Sequence, residues 1–165
     1  MQNKNSFIGI IIIIVIMFPF IAKSQLNIDI VKEYYKSGAI KSIVAYKDSL
    51  KFGISIDYFK SGNIRIECVY IEGKLNGPFK IYYDNAQLQR EGYFQNDRPF
   101  GQHIFYEIDG KITLKSNYNE KGESDGTWEY YYDGILDKQL LYKKGSVDTI
   151  IIDNLMLPPF PLIDE

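Results

Sequence analysis

The chain has 165 residues, a formal net charge of −2 at pH 7, one cysteine, one tryptophan and 14 tyrosines. That length suits one domain. The mildly acidic balance excludes a nucleic-acid binder, which needs a concentrated basic surface, and a single cysteine excludes an intramolecular disulfide framework.

The first element is a leader. Lys4 and the amino terminus form a short positive region, and residues 7–22 follow as an uncharged apolar run of 16 residues, short for a membrane-spanning helix. The run ends in Ala22-Lys23-Ser24 before Gln25, the small-x-small pattern that signal peptidase cuts. Residues 1–24 are therefore expected to be a signal peptide. The mature protein is then exported, whether to the periplasm, to the cell surface or as a secreted protein. An uncleaved leader is the alternative, and with it comes the membrane association that the sequence offers. Taking the two leader lysines from the 19 basic residues leaves 17 against 21 acidic ones, a formal charge of −4.

Residues 25–145 repeat. Gly53, Gly77, Gly101 and Gly126 are spaced by 24, 24 and 25 residues, and a tyrosine follows each five positions later: Tyr58, Tyr82, Tyr106 and Tyr131. Tyr34 extends that ladder back to a first, degenerate copy. A second series, Tyr46, Tyr70, Phe94, Tyr118 and Tyr142, keeps a spacing of 24 throughout. A fixed period of this length marks an array of supersecondary units. Within each copy the second strand alternates, as in Ile64, Ile66, Cys68 and Tyr70 against Arg65, Glu67 and Val69. Such alternation gives one buried and one wet face. The first strand is apolar on both sides. Ile54, Ile56 and Tyr58 share one parity, whereas Phe79, Ile81 and Tyr83 share the other one copy later. The pairs Ser37-Gly38, Ser61-Gly62, Asp84-Asn85, Asp109-Gly110 and Asp133-Gly134 read as hairpin turns. The expected fold is all-β, an elongated antiparallel meander of about five stacked β-hairpin repeats, in which neighbours bury what one hairpin cannot.

These residues resemble the MORN-repeat family in its bacterial variant form. The likeness lies in Tyr70-x-x-Gly73-Lys74-x-x-Gly77-x-Phe79-x-x-Tyr82-Tyr83 and in Tyr118-x-x-x-Gly122-x-x-x-Gly126-x-Trp128-x-x-Tyr131-Tyr132, and extends over residues 29–145. The resemblance implies an elongated antiparallel sheet serving as a scaffolding, membrane-associated or partner-binding module. Some bacterial relatives look like antitoxin components, a cytoplasmic role at odds with a signal peptide. The copies depart from the pattern where Ala86 replaces a turn glycine, and where Ser55 and His103 stand in place of Phe79 and Trp128.

No constellation in the sequence points to catalysis. His103, the single histidine, takes the ring position of Phe79 and Trp128 and reads as structural. Cys68 falls on the inward face, where Val44, Gly92, Ser116 and Leu140 stand in other copies, with no basic neighbour to lower its pKa. Glu120, Glu123 and Asp125 share a loop without the spacing of a calcium site, and no cluster has metal-ligand spacing. The chain is expected to be no enzyme and to use no metal or cofactor. The tyrosine ladders supply the binding candidates. The series from Tyr46 to Tyr142 shares the buried parity and is expected to pack between neighbouring hairpins. Tyr58, Tyr82, Tyr106 and Tyr131, together with Trp128, form the candidate binding set, able to stack on a sugar, a peptide or a lipid headgroup.

Residues 146–165 break the period. Residues 149–152 fit one more strand, whereas residues 155–163, with Pro158, Pro159 and Pro161, cannot be regular sheet. The segment is expected to cap the open end of the array; a proline-rich partner peptide is the alternative. The expected function is a non-enzymatic exported repeat module for protein–protein interaction or scaffolding in the cell envelope, with a protein partner. Two alternatives stand beside it. One is a glycan- or cell-wall-binding repeat protein, suggested by the aromatic run of residues 126–132. The other is an antitoxin- or immunity-like partner-binding protein.

Overall fold

A computed structural model describes residues 27–154. The leader read at residues 1–24 and residues 155–165 of the tail lie outside them. The described residues form eleven strands. The first six are β1 (Ile28–Tyr34), β2 (Ile40–Lys47), β3 (Leu50–Tyr58), β4 (Ile64–Ile71), β5 (Lys74–Tyr82) and β6 (Leu88–Gln95). Then come β7 (Arg98–Tyr106), β8 (Ile112–Tyr118), β9 (Gly126–Tyr132), β10 (Ile135–Lys143) and β11 (Ser146–Asp153). All belong to one open antiparallel sheet in sequence order. Five hairpins therefore lie side by side in a single layer, and β11, the first part of the tail, covers the edge of β10.

Two kinds of turn alternate. Within a copy the loop is wide. The Tyr35 N–H donates to the Ala39 carbonyl (2.8 Å) and the Gly38 N–H to the Tyr35 carbonyl (2.9 Å), with the same pattern at Phe59, Tyr83 and Glu107. The closing position is left-handed, at Gly38 (φ 86°), Gly62 (φ 96°), Ala86 (φ 66°) and Gly110 (φ 86°). Between copies two-residue turns with positive φ at both positions join the strands, at Asp48-Ser49, Glu72-Gly73 and Asn96-Asp97. Their backbone twist matches that of the flanking strands.

The last copy exchanges the two kinds. The β8–β9 connection is wide, closed by Asn119 and Gly122, and Asp133-Gly134 is tight, with φ of 50° and 80°. Asp133-Gly134 thus differs from Ser37-Gly38, with which sequence reading aligns it. The wide loop adds the residue that makes the Gly101–Gly126 step 25, and the tight turn removes it, so Tyr118 and Tyr142 remain 24 apart.

Register accounts for the two-sided first strand. Ser55 and Phe79 both pair with Cys68, from opposite sides of β4, and so share one face; Ile54 and Ile56, paired with Val69 and Glu67, lie on the other. Backbone pairing is the same in both copies. The apolar residues have moved between faces. The glycine ladder sits at breaks in this register. The slip between Cys68 and Tyr70 faces Gly77, where a Cβ would stand 2.8 Å from that of Val69. A bulge there needs a residue without a side chain.

A single layer has no space between sheets to fill. The buried apolar side chains are Cys68 and Leu140, accompanied by Ser42, Ser55, His103, Ser116 and Asp137. Tyr46, Tyr70, Phe94, Tyr118 and Tyr142, expected to be packed between hairpins, are half-buried. Neighbours in the same sheet shield these rings, with Lys51 Nζ 4.8 Å from the Tyr70 centroid and Arg90 Cζ 5.9 Å from that of Phe94, and no second layer among the described residues covers them.

Candidate functional site

The register separates the side chains into two faces of different chemistry. The first is a face of rings. Phe79 meets Phe94 at 5.0 Å between centroids, Phe94 meets His103 at 5.5 Å, and His103 meets Tyr118 at 5.1 Å, all edge to face. Tyr118 then meets Trp128 at 5.5 Å, and Trp128 meets Tyr142 at 4.8 Å. Edge-to-face contact favours such pairs beyond the area they bury.

His103 lies within this ladder and is fully buried. Its Nε2 donates to the Tyr93 carbonyl (2.9 Å) and its Nδ1 accepts from Arg90 Nη2 (3.1 Å), the neutral tautomer that these partners require. Burial pushes its pKa down; the Tyr93 carbonyl opposes that and the Arg90 charge adds to it. Neither nitrogen is left to bind a metal or move a proton.

Arg90 is framed by rings. Its Cζ stands 4.8 Å from the Phe105 centroid, 5.7 Å from that of Phe79 and 5.9 Å from that of Phe94. No carboxylate among the described residues forms an ion pair with it, and its buried Nε has no hydrogen-bond partner. Burial lowers its pKa from the ordinary value.

The second face carries tyrosines paired with carboxylates. Tyr82 Oη donates to Glu67 (3.5 Å) and Tyr106 Oη to Glu91 (2.7 Å). Tyr131 Oη donates to Glu129 (2.7 Å) and accepts from Lys115 (2.8 Å), which also pairs with Glu129 at 3.2 Å. Burial, and then the Glu91 bond, pushes the Tyr106 phenol up to about 12. The Tyr131 bond is the main cause that holds Glu129 below the usual carboxylate range, and Lys115 adds to it. The pairs recur every second strand, about 10 Å apart.

The sequence candidates are divided between the faces. Tyr82, Tyr106 and Tyr131 line the second face, and Tyr58 holds the equivalent register place opposite Ile64, with Ile43 where later copies have Glu67 and Glu91. Trp128 is on the ring face, its Nε1 donating to the Asn117 carbonyl (3.0 Å). It does not join the tyrosines. Sequence reasoning missed the acidic partners, though Glu67 and Glu91 stand 24 residues apart, each 15 before its tyrosine. It also missed Arg90, whose signal is a charge midway between Ile66 and Leu114 in a 24-residue ladder. Cys68 is buried, and burial pushes its thiol pKa up, away from nucleophilic use. Among the described residues no group of three His, Cys, Asp or Glu is placed to hold a metal ion.

The sequence model of the MORN repeat variant matches residues 30–48 and 75–96, one hairpin each. These two hairpins are similar to MORN-variant repeats. No curated protein matches it. Among solved structures it is similar to a chain in the crystal structure of accessory secretory protein 1, 2 and 3 in Streptococcus pneumoniae, with a TM-score of 0.30 and 21% identity. The match covers 69% of this chain and 19% of the other. MORN repeats form protein-interaction modules, and the hairpins here present Tyr82 and Tyr106 with their carboxylates from adjoining copies.

Proposed function

We propose that this protein is a non-enzymatic module, exported to the cell envelope, that engages a protein partner through the tyrosine–carboxylate face. The observation that carries the reading is the recurrence of Tyr82–Glu67, Tyr106–Glu91 and Tyr131–Glu129 on one side of a single layer. Tyrosines held by hydrogen bonds lose little freedom on contact, and tyrosine is enriched where interfaces concentrate their binding free energy. Export rests on the leader read at residues 1–24, with cleavage before Gln25. Capture from envelope extract tests the reading. The protein should retain a discrete partner that the Tyr82→Ala/Tyr106→Ala variant loses while keeping its strand signal in circular dichroism. Equal capture by both proteins sinks it.

A glycan strand is the second reading, favoured by the same pairs, because a ring beside a carboxylate stacks on a sugar and accepts its hydroxyls. Sedimentation with insoluble cell wall, abolished in the same double variant, would favour it over the protein partner.

A further inference from the structure

We propose that the ring face docks a second protein, which sets a carboxylate side chain on Arg90 and lays the apolar residues beside it on the surrounding rings. One register row crosses the whole face, from Glu33 in β1 to Asp153 in β11. Its charged members are Glu33, Asp57, Arg90, Lys138 and Asp153. All but one are answered within the sheet: Glu33 by Lys41 at 2.9 Å, Asp57 by Arg65 at 3.0 Å, and Lys138 and Asp153 by each other at 3.8 Å. Arg90 is the exception. It stands on β6, the middle strand of the sheet, and so at the centre of the face.

The setting prepares this cation for an acid. Its side chain donates to His103 Nδ1 (3.1 Å), and the Phe79, Phe94 and Phe105 rings surround Cζ at distances between 4.8 and 5.9 Å. A guanidinium fixed by rings and partly stripped of water gains more from a carboxylate than one in bulk solvent. Among the described residues the buried polar side-chain atoms left without a partner are Arg90 Nε and Ser116 Oγ. Ser116 pairs with His103 from β8, so the two atoms lie on either side of that ring. Buried polar groups are nearly always satisfied, and here the sheet alone does not satisfy them.

The shape calls for a protein. A flat layer cannot enclose a small molecule, which takes a concave site. Aromatic rings around a central arginine are the composition of interface centres, and from Arg90 the row continues through Phe105, Leu114 and Tyr130, all half-buried. Six strands of about eight residues present roughly 750 Å², close to what one partner gives to a standard interface. Charge opposes a second copy. Two copies meeting face to face about a two-fold axis at β6 would set Arg90 against Arg90, and the carboxylates of the row are already paired. The site goes beyond the partner proposed above and stands without it, because the tyrosine–carboxylate pairs are on the other side of the layer.

Peptide display tests the site. Random dodecamers are selected on the natural protein and on the Tyr82→Ala/Tyr106→Ala variant, which lacks the opposite face. Sequences enriched in both selections should carry an Asp or Glu between apolar residues. A tryptophan-free synthetic peptide from the set should shift the emission of Trp128, the single tryptophan, on the ring face. Its affinity should fall about tenfold or more for Arg90→Leu, and as much when its own acid is changed to the amide. Arg90→Leu should keep its strand signal in circular dichroism, since Ile66 and Leu114 hold that place in the neighbouring copies; the peptide change stands even if it does not. Either selection without an acid, an acid preference that survives Arg90→Leu, or a bound peptide that leaves Trp128 unmoved overturns the proposal. Binding to anionic phospholipid vesicles, or self-association, that Arg90→Leu abolishes while no peptide is enriched also overturns it, because the occupant would then be a membrane surface or a second copy.

Discussion

The His103 imidazole lies against the backbone of Gly92, so that a Cβ added there would stand 2.3 Å from Nδ1 and 2.5 Å from Cγ. The two residues are one packing solution, a ring in place of the Phe79 ring and a missing side chain in place of the Cys68 thiol. Gly92→Ala should therefore destabilise the protein by about 1–3 kcal/mol through overpacking. Combined with His103→Ala, the same change should cost much less than the sum of the two single variants. Urea midpoints of the three proteins check this; additive losses would show that the ring and the glycine do not share the space.

Stability should depend on pH through His103. The unfolded chain binds a proton near 6.5, and burial holds the folded group below that value. Between the two values the unfolded state carries more protons, so stability is full above 6.5 and falls as pH is lowered toward the folded pKa. Glu129, also held low, contributes in a separate window below its ordinary 4.5. Urea midpoints from neutrality to mildly acidic pH should fall in the natural protein and stay flatter in His103→Phe. Parallel curves would contradict a neutral His103.

Ala86 holds a left-handed backbone, φ 66°, where three equivalent loops use glycine. A side chain in that conformation costs about 1–2 kcal/mol, and glycine's greater freedom in the unfolded chain takes back part of the gain. Ala86→Gly should raise stability by about 0.5–1 kcal/mol. A thermal melt that moves down instead would mean the loop relaxes around the alanine.

The β8–β9 joint is the thinnest in the sheet. Its register holds Leu114 opposite Tyr130 and Lys115 opposite Glu129, with an isolated bridge between Tyr118 and Ser124. Side chains take over where the ladder stops, Trp128 Nε1 on the Asn117 carbonyl and Asn117 Nδ2 on that of Thr127. Trp128→Phe keeps a ring and drops the donor, and should cost about 1 kcal/mol. Amide hydrogen exchange should quicken in β8 and β9 of that variant and remain unchanged in β3 and β4. Uniform acceleration across the sheet would mean the joint does not open by itself.

The array was legible in the sequence because identical residues recur at one interval, as Tyr46, Tyr70, Tyr118 and Tyr142 do around Phe94. Alternation in Ile64–Tyr70 told which side chains share a face. It could not tell how deeply they are covered, and Tyr70 is half-buried because the partner layer that alternation implies is not another sheet. The exchange of turns at Asp133-Gly134 was hidden, since Asp-Gly suits either kind. The candidate site was legible by half. Tyrosines stood out as a ladder, whereas Glu67 and Glu91 are joined to Tyr82 and Tyr106 across neighbouring strands, a relation that one-dimensional spacing shows only when the hairpin register is known. Arg90 was passed over because a charge at the Ile66 and Leu114 place reads as a break in the pattern.

Each strand bonds only to the strands before and after it. A substitution in one copy is therefore felt about two strands away and no further. That confinement lets copies diverge singly. Copy four could take an imidazole because one neighbour lost its side chain, and the first could do without a carboxylate under Tyr58. Lengthening such a protein by duplication would leave every existing contact in place, and selection could then work on each hairpin as a separate trial.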